Sequence, residues 1–284
     1  MNLSILIPIY NHNCTLLVNT LCEQATKLNI QFEIVLAEDG SKEVHDYTPL
    51  HITQLRHIIR KENVGRSAIR NYLFSVASYP TMLMMDCDVC IQKNDFIKSY
   101  LKAAADHDIV CGGLVYPDTC PTPTYRLRYN YEKYYEKHTN AERLNHMAHP
   151  QFRSSCFLIK QNVTDKVHFD ERFVDYGYED VKFGKDLREA GFRPFYINNP
   201  VMNTDIEPNK VYLAKVQESL RTLHKFRDEL RTDSQLLRWA EWFVKHPLAA
   251  KTLPFAKSIC WNYQTKMQLW RLRYLVSLFE NTKP

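Results

Sequence analysis

The sequence predicts an α/β fold, a mixed and mostly parallel sheet flanked by helices, with a helical extension at the C-terminus. Three observations predict it. Apolar, β-rich segments alternate with segments of helical spacing along residues 3–85. The links between them are short, and strand–helix–strand units joined this way build parallel sheets. Polar clusters stand where the strands stop, at the edge where such sheets bind ligands.

Residues 3–9 are nearly all apolar, as a strand buried on both faces requires, and they run into Tyr10-Asn11. Residues 15–28 place Leu17, Leu21 and Leu28 on one helical side. Residues 32–36 form a second strand, closed by the turn cluster Glu38-Asp39-Gly40-Ser41. A third strand covers 57–60, and a helix over 65–77 turns Ala68, Ile69, Tyr72, Leu73 and Val76 inward. The fourth strand, 81–85, stops abruptly at Asp86-Cys87-Asp88. Beyond it the pattern loosens. Residues 125–135 are dense in Tyr and Arg, 152–159 read as a strand, and a helix over 179–190 is stopped by Gly191. A short strand at 195–197 precedes a long helix over 209–230, striped by Leu213, Val216, Leu220, Leu223 and Phe226.

A chain of 284 residues, 45% hydrophobic and 24% charged, is globular and holds one large domain plus an extra part. Those proportions exclude disorder, and seven glycines exclude a collagen-like or linker-rich design. No run of about 18 apolar residues offers a membrane span. The chain enters its first strand without a basic leader, so the expected location is cytoplasmic, with a peripheral place on the inner face of the membrane as its variant. Eight scattered cysteines then read as free thiols; Cys87-x-x-Cys90 has no second pair beside it, so packing is expected rather than zinc or redox work. Charge divides the chain in two. Residues 231–284 hold nine Lys or Arg against three acids, +6, and the remainder holds 28 against 29, −1. All four tryptophans, Trp239, Trp242, Trp261 and Trp270, lie in that basic tail.

Asp86-x-Asp88 carries the clearest chemistry. Two carboxylates at the end of a buried strand can face one divalent cation, and Mg²⁺ takes one or two carboxylates plus phosphate oxygens. A cation there neutralises charge developing on a diphosphate leaving group. Glu38-Asp39 offers a carboxylate to a base N–H or a ribose hydroxyl, or else is a plain turn. Arg66 and Arg70, four apart behind Asn63-Val64-Gly65, share a face near a helix N-terminus, which suits a phosphate; a solvated basic face is the plainer alternative. Gly177-Tyr178-Glu179-Asp180 opens a helix beside an aromatic stretch at 173–178. Acids there satisfy the helix dipole, and one could also take a proton from an acceptor hydroxyl. Phosphate-binding and dinucleotide glycine loops, the Gly-x-Ser-x-Gly elbow and His-Glu-x-x-His are all missing.

In their order and spacing these segments resemble the family 2 glycosyltransferases. The resemblance rests on residues 4–11, Glu38-Asp39-Gly40-Ser41, Asn63-Val64-Gly65 with 68–71, and Asp86-Cys87-Asp88. Residues 169–173 and 176–180 are similar to the galactosyltransferase-type C-terminal segment of such enzymes. It implies a GT-A-type, Rossmann-like catalytic domain over 1–230, with a nucleotide-sugar half at 1–115 and an acceptor half at 116–230. It also implies roles. Pro8, Tyr10 and Asn11 would line the nucleotide pocket, Asp39 would hold the base, and Asn63, Arg66 and Arg70 would sit near the nucleotide and its phosphates. Asp86 would contact the ribose or donor sugar and stand beside the metal ligand Asp88. Asp180 would be the general base, with Tyr178 and Glu179 on the acceptor.

The implied reaction inverts the anomeric carbon, uses Mg²⁺ or Mn²⁺, and moves a sugar from a UDP-sugar to a saccharide or lipid-linked acceptor in surface polysaccharide or glycolipid synthesis. Related enzymes often place a histidine ligand where this chain has Asn203; an amide oxygen is the weaker ligand, and Asp205 is its substitute. The other readings are a nucleotidyltransferase of similar fold and a non-catalytic sugar-binding or scaffold protein. No nucleic-acid partner is expected. For the tail at 231–284, helices are expected at 236–244 and 270–279. Two readings stay open: packing on the catalytic body or in a homodimer, and peripheral contact with an anionic membrane.

Overall fold

A computed structural model describes residues 2–253 and 263–281. Trp261 of the expected tryptophan cluster lies outside them. The strands are β1 (Leu3–Ile9), β2 (Phe32–Asp39), β3 (Leu55–Arg60), β4 (Thr81–Met85), β5 (Val89–Cys90), β6 (Ile109–Cys111), β7 (Leu114–Val115), β8 (Cys156–Lys160), β9 (Phe195–Tyr196) and β10 (Val201–Asn203). The helices are α1 (Thr15–Lys27), α2 (Arg66–Val76), α3 (Phe96–Ala103), α4 (Arg126–His138), α5 (Ala141–His146) and α6 (Gln161–Thr164). They continue with α7 (Glu179–Glu189), α8 (Asn209–Lys225), α9 (Arg227–Leu230), α10 (Gln235–Lys245), α11 (Pro247–Ala250) and α12 (Tyr263–Asn281).

The main sheet runs β3-β2-β1-β4-β8-β6-β9. β1, β2, β3 and β4 are parallel, β8 is antiparallel to both β4 and β6, and β9 pairs parallel with β6. A small second sheet, β5-β10-β7, stands beyond the ends of β4 and β6. The α/β class and the mostly parallel sheet agree with the sequence.

Strand alternation sorts the core into two layers. Leu3, Ile5, Ile7 and Ile9 of β1 pack with Leu17, Val18 and Leu21 of α1 and with Phe96 and Tyr100 of α3. Leu6 points the other way, into a layer with Ile69 and Leu73 of α2 and Phe183 and Leu187 of α7. A period of two in the strand thus meets a period near four in each helix.

Some boundaries differ from the sequence reading. β2 does not stop at 36: Glu38 and Asp39 pair with Ile59 and Arg60 of β3, so ladder bonds carry the strand through the two acids before Gly40 turns the chain at φ 68°. The strand expected over 152–159 is β8 at Cys156–Lys160, and 152–155 is loop. The helix expected over 209–230 breaks at Phe226, whose φ of −102° and ψ of 26° leave the helical region, giving α8 and α9.

The tail packs on the body. Phe173 and the α8 residues Tyr212, Val216, Leu220 and Leu223 share one core with Leu237 and Ala240 of α10 and with Met267, Leu272, Leu275 and Val276 of α12. No described helix is long and apolar enough to cross a membrane. The described cysteines, Cys87 and Cys90 included, are all free.

Candidate active site

β4 delivers the central carboxylates. It is buried at every position between β1 and β8, and its end is fixed by the Asp86 N–H, which donates to the Ser155 carbonyl at 2.9 Å. Cys87 then packs against the core on the α1 side, while Asp86 and Asp88 both line a cavity of about 270 Å³.

The small sheet holds Asp88. Asn203 pairs with Val89 across β10 and β5, and its amide NH₂ donates to Asp88 Oδ2 at 3.3 Å. Thr204 donates to the Asp88 carbonyl through its N–H and its hydroxyl, each at 2.9 Å. The amide oxygen of Asn203 accepts the Asp205 N–H at 3.2 Å. In this geometry Asn203 orients Asp88 through its amide NH₂, while its amide oxygen is turned to the Asp205 N–H. Asp205 lines the same cavity.

α2 supplies the arginines, and they differ sharply. Arg70 is buried at 1% exposure, bonded to Asp86 at 2.9 Å and to Glu179 at 3.4 Å. Arg66 is exposed, lies 3.8 Å from Glu179, and stacks over the Tyr176 ring at 4.9 Å. Arg70 is thus a strut joining the end of β4 to the start of α7, and of the two α2 arginines Arg66 is the one that faces the cavity. Removing the strut leaves Asp86 without its ion-pair partner and the buried Glu179 with only the more distant, exposed Arg66. Arg70→Met is expected to cost about 3–5 kcal/mol, read from denaturant midpoints, because breaking a buried pair from one side leaves charge uncompensated.

α7 begins with a sharp reversal. Gly177 has φ 97°, and a Cβ there would stand 2.6 Å from the Ser219 Cβ. Tyr178 follows in the left-handed region at φ 68°, and this turn brings Glu179 and Asp180 into the cavity wall. Asp180 Oδ1 accepts the Val181 N–H at 2.8 Å. Burial pushes its carboxyl up to about 7, and the neighbouring Glu179 carboxylate adds to this; the Val181 N–H, Arg153 and Arg70 act the other way. Burial also raises Asp86, with Asp88 adding to it and Arg70 and Arg66 opposing.

The remaining expected residues form the adjoining stretch of the strand-end edge, outside the cavity lining. Pro8 is half-buried and Tyr10 is 50% exposed at the end of β1. Asn11, at φ 50°, donates its N–H to Ser41 Oγ at 2.9 Å and accepts the Lys42 N–H on its side chain at 2.7 Å, tying the β1 end to the β2 turn. Asp39 accepts the N–H groups of Val64 and Gly65 at 2.9 and 3.1 Å, and Asn63 accepts the Gly65 N–H at 3.2 Å. Asp39 therefore shapes the loop that starts α2. Burial nonetheless raises its carboxyl above the usual range. Tyr178 lines a different, larger cavity, which Asp180 also borders.

The sequence missed Arg128, Glu132, Arg153, Glu207 and Lys215, all of which line the smaller cavity. Arg128 pairs with Glu207, and Arg153 lies 3.5 Å from Glu132. The density of Arg and Tyr at 125–135 was the available signal. In total seven carboxylates and four basic side chains line this space. Such an excess of acid favours a cation in this space. The described residues contain no cluster of three or more His, Cys, Asp or Glu able to hold a metal by themselves. The donors at hand are oxygens, which suits Mg²⁺ or Mn²⁺ completed by phosphate oxygens.

Residues 4–167, more than half the chain, match the family described as Glycosyl transferase family 2. The chain belongs to that family. A chondroitin synthase of Pasteurella multocida (strain Pm70) is 30% identical over 225 residues, 67% of this chain and 23% of the relative. A chondroitin synthase of Escherichia coli is 31% identical over 123 residues, 41% of this chain and 18% of the relative. The chain thus spans under a quarter of these relatives. Among solved structures it is similar to a mannosyltransferase from Pyrobaculum calidifontis in complex with GDP-Man and Mn²⁺, with TM-score 0.59 and 15% identity over 99% of this chain and 88% of that one. A glucosyl-3-phosphoglycerate synthase from Mycobacterium tuberculosis, in complex with Mn²⁺, UDP-glucose and phosphoglyceric acid, has TM-score 0.51 and 10% identity over 78% of each chain. At these identities the structures establish the GT-A fold. The family match ends before Asp180, so the α7 site and the tail rest on geometry.

Proposed function

We propose that this protein is an inverting glycosyltransferase that moves a sugar from a nucleotide diphosphate donor, a UDP-sugar, to a saccharide acceptor. The observation that carries the reading is the single acid-rich cavity in which Asp86, Asp88 and Asp180 meet. The solved relatives of similar fold were captured with nucleotide-sugars and Mn²⁺, and the sequence relatives are named for a polysaccharide.

Asp88, oriented by Asn203, would hold a divalent cation, with Asp86 beside it. Bound there, the cation would offset charge on the departing diphosphate. Arg66 faces the same space and meets phosphate oxygens. Asp180, on α7, takes the proton of the acceptor hydroxyl; a carboxyl raised to about 7 is a competent base near neutral pH. Glu179 is committed to Arg70 and Arg66, so its work is to fix the arginines as well as to border the acceptor. One base and one leaving group describe a single displacement, which inverts the anomeric carbon. Polysaccharide or glycolipid synthesis is the setting this proposal assigns.

Calorimetry with UDP, GDP and CDP, each with Mn²⁺ and then with EDTA, tests the donor half. One nucleotide is expected to bind, and EDTA to abolish it. Folded protein that binds none of the three would sink the transferase reading.

A further inference from the structure

The tail helices α10 and α12 enclose a second cavity of about 870 Å³ against α4, α7 and the loop at 149–153. That volume is within the range of ligand sites, roughly 300–1,000 Å³. Tyr131, Gln151, Arg153 and Asp180 line both this cavity and the smaller one. Asp180 therefore has one side on the carboxylate-rich space and the other on the space built by the tail.

The cations of the larger cavity are paired, with one exception. Arg188 is bonded to Asp233, Lys185 lies 3.8 Å from Glu189, and Arg153 lies 3.5 Å from Glu132. Arg271 of α12 has no carboxylate within ion-pair distance among the described residues. Its guanidinium donates instead to the Tyr131 hydroxyl at 2.7 Å, the Tyr178 hydroxyl at 3.3 Å and the Gln268 amide oxygen at 3.4 Å. Its Nε is buried and unpartnered. A largely desolvated guanidinium held by neutral groups lacks the counter-charge that normally accompanies burial. Trp239, 52% exposed, adds an aromatic face to the same cavity, a surface on which a sugar ring can lie.

We propose that the larger cavity seats the acceptor and that Arg271 binds an anionic group on it, the carboxylate or phosphate of an acidic glycan. The proposal rests on the transferase reading in that Asp180 must meet the acceptor hydroxyl from this side. The tail is then part of the specificity site. Arg271 touches the acceptor through its fork of N–H donors and leaves the donor space alone.

The test measures binding of four probes by calorimetry, with and without the nucleotide and Mn²⁺. The probes are a uronate-terminated disaccharide, its methyl ester, a sugar phosphomonoester and the corresponding free sugar. Wild-type protein is expected to bind at least one anionic probe about 30-fold tighter than its neutral counterpart, and Arg271→Gln to erase that preference. Which pair shows it distinguishes a carboxylate acceptor from a phosphate one. Trp239→Ala, at an exposed position, is expected to weaken charged and neutral disaccharides alike. Equal wild-type binding of charged and neutral probes, or a preference that survives Arg271→Gln, overturns the proposal; the wild-type comparison stands even where the variant does not fold. Asp88→Ala separates the two failures. It is expected to remove nucleotide binding and leave the Arg271-dependent preference measured without nucleotide.

Discussion

Asp180→Asn is expected to lower the rate of sugar transfer about 10²–10⁴-fold while leaving nucleotide affinity unchanged, the signature of a lost general base. The amide keeps the shape and can still accept the Val181 N–H, so the loss would reside in the proton transfer. Its pH profile follows from the raised carboxyl. Below about 7 the carboxyl is largely protonated and cannot accept the acceptor's proton, so transfer rises with pH up to that value and then levels. Stability has the opposite sign. The unfolded carboxyl titrates near 3.8 and the folded one near 7, so the ionised form costs folding free energy that grows between those values and is complete above them. Asp180→Asn should therefore melt at higher temperature than wild type at pH 8, and the difference should vanish at pH 4. A flat rate profile from pH 5 to 8, with activity intact in the variant, would remove Asp180 from the reaction.

Asp88→Ala is expected to abolish metal-dependent nucleotide binding altogether, seen as no calorimetric signal where wild type binds with Mn²⁺. Asp88 is held by three contacts, from Asn203 and twice from Thr204, that leave a carboxylate pointing into the cavity. Without it Asp86 and Asp205 are the carboxylates left nearby to hold the cation, and the first already serves Arg70. Asn203→Ala, which loosens Asp88 without removing it, should weaken metal affinity about 10–100-fold, the scale of a partner acting through a ligand. Equal loss in both variants would mean that Asn203 is itself a ligand.

Much of this site was legible because its carriers are long, regular elements. β4 was bounded correctly at 81–85 because four apolar residues, 82–85, ran into two acids, and α2 was placed by its helical spacing. The small sheet was not legible: β5 and β7 have two residues and β10 three, too short for any period to emerge. Nor was the burial of Arg70 legible. Its sequence setting matches that of Arg66, and only the long-range approach of Glu179, 109 positions away, separates strut from ligand. The same holds for Arg271, whose tyrosine partners are 140 and 93 residues distant. Sequence spacing reports on one helix face, not on what folds against it.

The sheet order also fixes an order of assembly during synthesis. β1 to β4 are consecutive in space save for one exchange, and all their ladder bonds can form once residue 85 has emerged. β4 then presents an open edge of five residues, four of them apolar, until β8, at Cys156–Lys160, comes to pair with it. Seventy intervening residues must leave the ribosome first, including β6, which cannot join the sheet until β8 lies between them. A nascent chain halted in that interval carries an unpaired apolar strand, the kind of edge that recruits other chains. The antiparallel strand that follows the site residues Ser154 and Ser155 is thus also the one whose late arrival closes an apolar edge open to aggregation.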